Sequence, residues 1–367
     1  MGDVLGLGIT HYPPLSGRDE DMANILKGRL ADPGVPSHAK NPSNWPPAMR
    51  QEWGDDDGLA GAMRHRDSVL HGIREVRKAL DEFNPDFVIV WGDDQYENFK
   101  ENIIPPFCVL AYDDLEVYPW RDATESAMFS AKVDQWGGGR PNIWGEGRDF
   151  SIKVKGHRDT AKEIISRLLE REFDVSYAYE PLNHPGLAHA FLNSVLYLDY
   201  DRRGFPWPLI PFQINCYGRG VISYRGFVSR MGEAGRPLDP PAPSPRRVYQ
   251  LGAAVARICQ ESPWRVALIA SSSWSHAFLN EETYRMQPNV EFDRKMFAEL
   301  RSGNLTAFRN LDLSTLEATG NQEMLNWCAL AGAMAELGNQ CVWAEMAETY
   351  VFNSSKVTTI FAPSSKC

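Results

Sequence analysis

The segment Asp86-Phe-Val-Ile-Val-Trp91 is almost continuously apolar, and it stops abruptly at Gly92-Asp93-Asp94-Gln95-Tyr96. A strand without polar alternation is buried on both faces, which requires helices on either side and points to an α/β sheet. The same unit recurs. Val4–Ile9 runs into Thr10-His11-Tyr12-Pro13-Pro14, where the prolines end regular structure, and Arg265–Ala270 runs into Ser271-Ser-Ser-Trp-Ser-His276. Open α/β folds bind ligands outside the carboxyl ends of their strands. His11, the Asp94-Gln95 cluster and His276 are therefore expected on one rim of the sheet.

Between these strands the apolar spacing becomes helical. Val69, Ile73, Val76 and Leu80 form one stripe of a helix over Gly61–Phe83, stopped by Asn84-Pro85. Further helices are expected over Asp159–Glu172, Leu187–Leu198, Val248–Cys259, Phe292–Ser302 and Gln322–Glu336, the last followed by a short tail. Additional strands are expected at Pro106–Ala111, Val175–Tyr179 and Pro208–Asn215. Three long excursions interrupt the pattern near residues 19–53, 113–148 and 218–245, the first a candidate lid and the second with helical character near Asp122–Val133. One α/β domain spanning residues 1–367 accounts for this better than two joined by a linker. Its central sheet is mixed and largely buried, flanked by helices, with the active site at the strand C-terminal ends.

A formal charge of −10 disfavours nucleic acid and acidic membrane surfaces as partners, and no apolar run is long enough to span a membrane. The N-terminal stretch has no basic flank of the kind a signal peptide carries, so a cytoplasmic chain is expected. The six cysteines lie far apart with no CxxC pair, which fits reduced thiols better than a zinc knuckle or disulfide framework. The 11 Trp, 13 Tyr and 17 Phe are enough to wall a ring-stacking pocket, with Trp91 and Tyr96 as candidates. No GxGxxG, GxxxxGK[ST] or GxSxG element is present, and Ser271-Ser272-Ser273 lacks the glycine-flanked elbow of a serine nucleophile.

Six segments in fixed order carry a resemblance. They are Gly8-Ile-Thr-His-Tyr-Pro13; Trp91-Gly-Asp-Asp-Gln-Tyr-Glu-Asn-Phe99 with Asn102-Ile-Ile-Pro-Pro-Phe107; Val154-Lys-Gly-His-Arg-Asp-Thr-Ala161; Asn183-His184; Ser275-His276; and Phe292-Asp293 with Gly320-Asn-Gln-Glu-Met-Leu-Asn-Trp327. From residue 4 to about residue 360 the chain resembles the class III extradiol ring-cleavage dioxygenases related to the catalytic β subunit of protocatechuate 4,5-dioxygenase.

The resemblance implies iron(II) held by His11, Glu323 and the residue at position 95, with His276 as acid–base residue and His184 facing the other side of the substrate. Two imidazoles and a carboxylate leave adjacent positions free for both catecholate oxygens and O2. Histidine titrates in the range needed to take a diol proton and return it. The implied reactants are a catechol-like aromatic and O2. The family subunit works with a small partner chain, so an accessory subunit or a homodimer are both open, as is closure by the long loops.

Position 95 departs from the family: Gln95 stands where the second histidine is expected. Three readings stay open. Gln95 ligates through its carbonyl oxygen, a weaker donor than imidazole; Asp94, His65 or His38 completes the site; or iron chemistry is lost. The last favours zinc and a non-redox, hydrolase-like enzyme, or a non-catalytic binding relative. Asn183 replaces a family aspartate beside His184. His157 and His189 read as local structural residues, His71 as a helix-surface residue, and Arg219 and Arg225 as candidates for a substrate carboxylate.

Overall fold

Strand β2, Phe87–Gly92, is buried along its whole length, as an all-apolar strand must be. It belongs to a computed structural model that describes residues 2–122, 142–219 and 238–363. The other strands are β1 (Asp3–Ile9), β3 (Phe107–Leu110), β4 (Leu115–Val117), β5 (Ile152–Val154), β6 (Ser176–Ala178), β7 (Leu209–Ile214), β8 (Arg265–Ser271), β9 (Asn339–Ala347) and β10 (Lys356–Pro363). Eight of them form one sheet in the order β6-β3-β7-β2-β8-β1-β10-β9, and β4 and β5 pair separately. The architecture is the α/β domain with a mixed, buried sheet expected from the sequence.

The central strands β1, β8, β2 and β7 are mutually parallel, with Ile9 opposite Ser271 and Trp91 opposite both Ala270 and Phe212. Their C-terminal ends therefore share one rim. Side-chain alternation splits β2 between two cores. Phe87, Ile89 and Trp91 face the helices Pro245–Gln260 and Met324–Leu337; Val88 and Val90 face Leu59–Phe83 and His189–Leu198. Trp91 is thus a core residue with no exposure. The long helix Leu59–Phe83 buries the stripe Val69, Ile73, Val76 and Leu80, and ends at Asn84 in the left-handed region before Pro85.

Two expectations need correction. Residues 19–53 are not an irregular excursion: they hold short helices at Asn24–Ala31, Ser37–Lys40 and Pro47–Trp53. They are tied down at both ends. Arg66 Nε donates to Asp19 Oδ1 at 2.6 Å, and the Glu52 carboxylate accepts the N–H groups of Tyr350 and Val351 at 2.7 and 3.0 Å. The C-terminal tail is an antiparallel pair, β9 and β10, and β10 completes the flank of β1. Residues 123–141 and 220–237, where the second and third excursions mostly fall, lie outside the described residues, as does Arg225.

Candidate metal centre

Parallel strands deliver the parts. His11 follows β1, Asp93 and Gln95 follow β2, Tyr217 follows β7, and His276 lies beyond β8. Glu323 arrives from the other side, at the N-cap of the helix Met324–Leu337. Two glycines make that approach possible. A Cβ on Gly8 would lie 2.2 Å from the Trp327 ring, so the bare backbone of β1 lets the indole settle against it. Gly320 sits at φ +72°, and a Cβ there would lie 2.6 Å from His276 O. The same residue accepts the His276 N–H at 2.8 Å, while Ser272 Oγ donates to Glu323 O at 3.0 Å.

His11, Asp93 and Glu323 form a buried cluster whose ligand atoms all lie within 4.8 Å of one another. His11 Nδ1 lies 2.9 Å from Ser271 O. A carbonyl can only accept, so Nδ1 carries the proton and the lone pair sits on Nε2. That lone pair faces Glu323 Oε2 at 3.5 Å and Asp93 Oδ1 at 3.8 Å. Glu323 Oε2 is buried without a hydrogen-bond donor. Three electron-rich atoms converging, with only a long 3.4 Å contact from Asn326 Nδ2 to Asp93 Oδ1, are unfavourable alone and suited to a cation. The donor set fits a divalent metal.

Gln95 comes to this cluster amide nitrogen first. Nε2 lies 3.1 Å from Asp93 Oδ2, 3.0 Å from Glu323 Oε1 and 3.0 Å from Tyr217 OH. Tyr217 also donates to Glu323 Oε1. Asp94 turns away and collects the N–H groups of Glu97, Asn98 and Phe99 at 2.8, 2.9 and 3.2 Å. This fastens a loop in which Tyr96 holds φ +68°.

Burial shapes the proton affinities. It pushes Asp93 up to about 6, partly offset by His189 and the Gln95 amide. It also raises Glu323, with the Asp93 charge adding to the shift. Burial and then the neighbouring His189 lower His11, keeping it in the neutral form a metal ligand needs. His276 Nε2 lies 3.3 Å from Glu323 Oε1, and burial followed by Lys356 lowers its pKa to about 3. Lys356 is itself buried, its Nζ donating to Phe352 O at 2.6 Å and lying 3.5 Å from the centroid of the Tyr12 ring.

A pair invisible to sequence reading braces the other side. His189 stands edge-on to His11 with ring centroids 5.0 Å apart. Its Nδ1 lies 2.8 Å from Glu97 Oε2, and its N–H donates to Glu97 Oε1 at 2.9 Å. Burial opposes both charges, but each holds the other ionised: Glu97 stays below and His189 above its usual value.

The strand-end residues His11, Gln95, Glu323 and His276 are therefore brought together. His184 is not in contact with them. Its Nδ1 accepts the Gly186 N–H at 3.2 Å, and it lines a cavity of about 450 Å³ with Glu180, Pro181, Leu182, Asn183 and Pro185. His65 packs on Phe352, His38 on Tyr284 and His157 on Phe87, none of them in the cluster. Tyr96 OH pairs with Glu101, and Arg219 with Glu317 at 3.2 Å.

Residues 238–360 match the family model described as the catalytic LigB subunit of aromatic ring-opening dioxygenase. Over that stretch the chain is similar to the LigB-type subunits of aromatic ring-opening dioxygenases. Among similar proteins, the Pseudomonas putida protein named 2,3-dihydroxyphenylpropionate/2,3-dihydroxicinnamic acid 1,2-dioxygenase 2 is 22 % identical over 246 residues, 67 % of this chain and 57 % of the relative. A Burkholderia vietnamiensis protein named 2,3-dihydroxyphenylpropionate/2,3-dihydroxicinnamic acid 1,2-dioxygenase is 27 % identical over 203 residues, 55 % of this chain and 47 % of the relative. The chain spans about half the length of these curated relatives. A solved structure of an uncharacterized Escherichia coli K12 protein covers 80 % of this chain and 91 % of its own, with a TM-score of 0.45 and 12 % identity. No helix among the described residues is long and apolar enough to cross a membrane.

Proposed function

We propose that this chain is a non-haem, iron(II)-dependent dioxygenase that opens a catechol-type ring beside its diol with O2. The observation that carries this is the convergence of His11 Nε2, Asp93 Oδ1 and Glu323 Oε2 beside His276, in a chain similar to LigB-type subunits. His11, Asp93 and Glu323 would hold iron(II), which would supply the redox chemistry between the diol and O2. The protein contributes geometry and proton handling. Ser271 O fixes the His11 tautomer, and Tyr217 and Gln95 fix Glu323. His276, neutral across the physiological range, takes a proton from the diol at Nε2 and returns it as the ring opens. The Glu97–His189 pair holds the far side of His11 rigid, whereas His184 lines a separate cavity and is given no part in the reaction.

The compounds in the relatives' names make catechols with a carboxylate-bearing side chain the first to try. The test is O2 uptake by protein reconstituted anaerobically with iron(II), against a catechol panel. The expected result is catechol-dependent uptake and a product heavier by two oxygen atoms, with kcat falling about 10²- to 10⁴-fold in His276→Ala. Bound iron without uptake across the panel defeats the redox reading. It would favour a non-redox metal enzyme, for which the supporting observation is the buried His11–Asp93–Glu323 cluster itself.

A further inference from the structure

Each carboxylate of the cluster has its two oxygens in different employment. Asp93 Oδ2 and Glu323 Oε1 are both taken by the Gln95 amide nitrogen, at 3.1 and 3.0 Å. Their other oxygens, Asp93 Oδ1 and Glu323 Oε2, are the ones that face His11 Nε2. Asn326 Nδ2 gives Asp93 Oδ1 only a long contact of 3.4 Å, and Glu323 Oε2 receives none. The glutamine thus splits each carboxylate into a braced oxygen and a free one, and aligns the two free ones. Tyr217 OH, at 3.0 Å, fixes the amide from a third direction.

An amide nitrogen has no lone pair to offer a metal, and its two N–H groups, shared among the three oxygens around it, set the orientation of the side chain. The nearest further imidazoles are otherwise engaged. His189 Nδ1 pairs with Glu97, and His276 Nε2 faces the braced oxygen of Glu323, not the free one.

We propose that Gln95 is a positioning residue that clamps two carboxylate ligands, so that the centre is one imidazole and two carboxylates. It therefore discriminates less in favour of nitrogen-seeking metals than a two-histidine centre does. This rests on the metal-centre reading above and specifies its donor set. Carboxylate oxygen suits manganese(II)-like cations and imidazole suits zinc and iron, so exchanging one imidazole for a carboxylate compresses the affinity gap between zinc and manganese. It also changes charge. A divalent ion with two carboxylates is neutral, whereas two imidazoles and one carboxylate leave a net positive charge.

The test uses the full chain stripped of metal and titrated separately with manganese(II) and zinc(II) by calorimetry. Expected is one manganese per chain, with a pulsed-EPR ¹⁴N signature of a single coordinated imidazole. Gln95→His is expected to raise the zinc-to-manganese affinity ratio at least about tenfold. Gln95→Ala, losing the clamp, should weaken both metals about 10- to 100-fold and leave their ratio unchanged. Asp93→Asn should lose manganese binding more severely than Gln95→Ala does.

Two coordinated imidazoles in the wild type would overturn the proposal, as would an unmoved ratio in folded Gln95→His. Manganese binding that survives Asp93→Asn but is lost in Gln95→Ala would make Gln95 the ligand and also overturn it. The nitrogen count needs no variant, so a misfolded mutant leaves the test intact. A wild type that binds neither metal would instead remove the metal-centre reading itself.

Discussion

Asp94 commits its carboxylate to the chain, accepting three consecutive N–H groups, and so leaves Asp93 and Gln95 pointing the other way. Residues i and i+2 of an extended segment share a side, so this alternation is the sequence signal that pairs Asp93 with Gln95 and sets Asp94 apart. Gln95 occupies the position of the expected histidine, and that replacement by itself says nothing of the carboxylate two residues earlier. Asp94→Ala should cost about 1–3 kcal/mol, because it leaves buried N–H groups without their acceptor, visible as a lower denaturant midpoint at unchanged m. Asp293 offers a second test. It accepts the N–H and Oγ of Ser275, and burial pushes its pKa up to about 6 despite those bonds. The native state therefore keeps a proton that the unfolded chain releases near its ordinary value of 3.8. Stability attributable to this group is highest below that value and falls as pH rises toward 6, by about 3 kcal/mol over the window. Asp293→Asn should flatten that part of a stability–pH curve measured by urea unfolding.

At the level of elements, the strands that end at the site are legible because they are apolar throughout and stop at polar clusters. The pair β9 and β10 is not. Strand β9 is a sheet-edge strand with mostly half-buried residues and an apolar run of only Cys341–Ala344, and β10 opens with a buried lysine and carries two threonines. Neither offers a clean period of two, and only the tertiary position beside β1 makes their burial sensible. Pairs formed across long sequence separations are equally silent: Glu97 with His189, and Tyr217 with Glu323. The contact of Met324–Leu337 with β1 depends on Gly8 and Gly320. Gly320→Ala should destabilise by about 1–3 kcal/mol through its positive φ, with the clash against His276 O adding to this. Gly8→Val should displace Trp327 and with it Glu323, seen as weakened metal binding accompanied by altered Trp fluorescence. Full metal affinity in folded Gly8→Val would show that this packing does not set the ligand.

For the whole molecule, a cation at the cluster links points far apart in sequence: His11, Asp93 and Glu323. A ligand that binds only the folded state stabilises it by about 2.7 kcal/mol at one hundred times its Kd. Stripping metal should accordingly lower the unfolding midpoint, with re-addition restoring it, and Glu323→Gln should abolish that response. An unchanged midpoint on metal addition would mean that the three groups do not bind a cation together.

The position of β1 also has a consequence during synthesis. Its sheet neighbours are β8, which begins at Arg265, and β10, which begins at Lys356. At a translation rate of about 5–20 residues per second, the strand waits roughly 15–70 s after leaving the ribosome for its second neighbour to be made. Until β8 is made, Val-Leu-Gly-Leu-Gly-Ile is an unpaired apolar ribbon on a nascent chain, and His11 waits longer still for Glu323. The apolar strand that later carries the first ligand of the site is thus, while the polypeptide is still growing, the natural place for a chaperone to hold it.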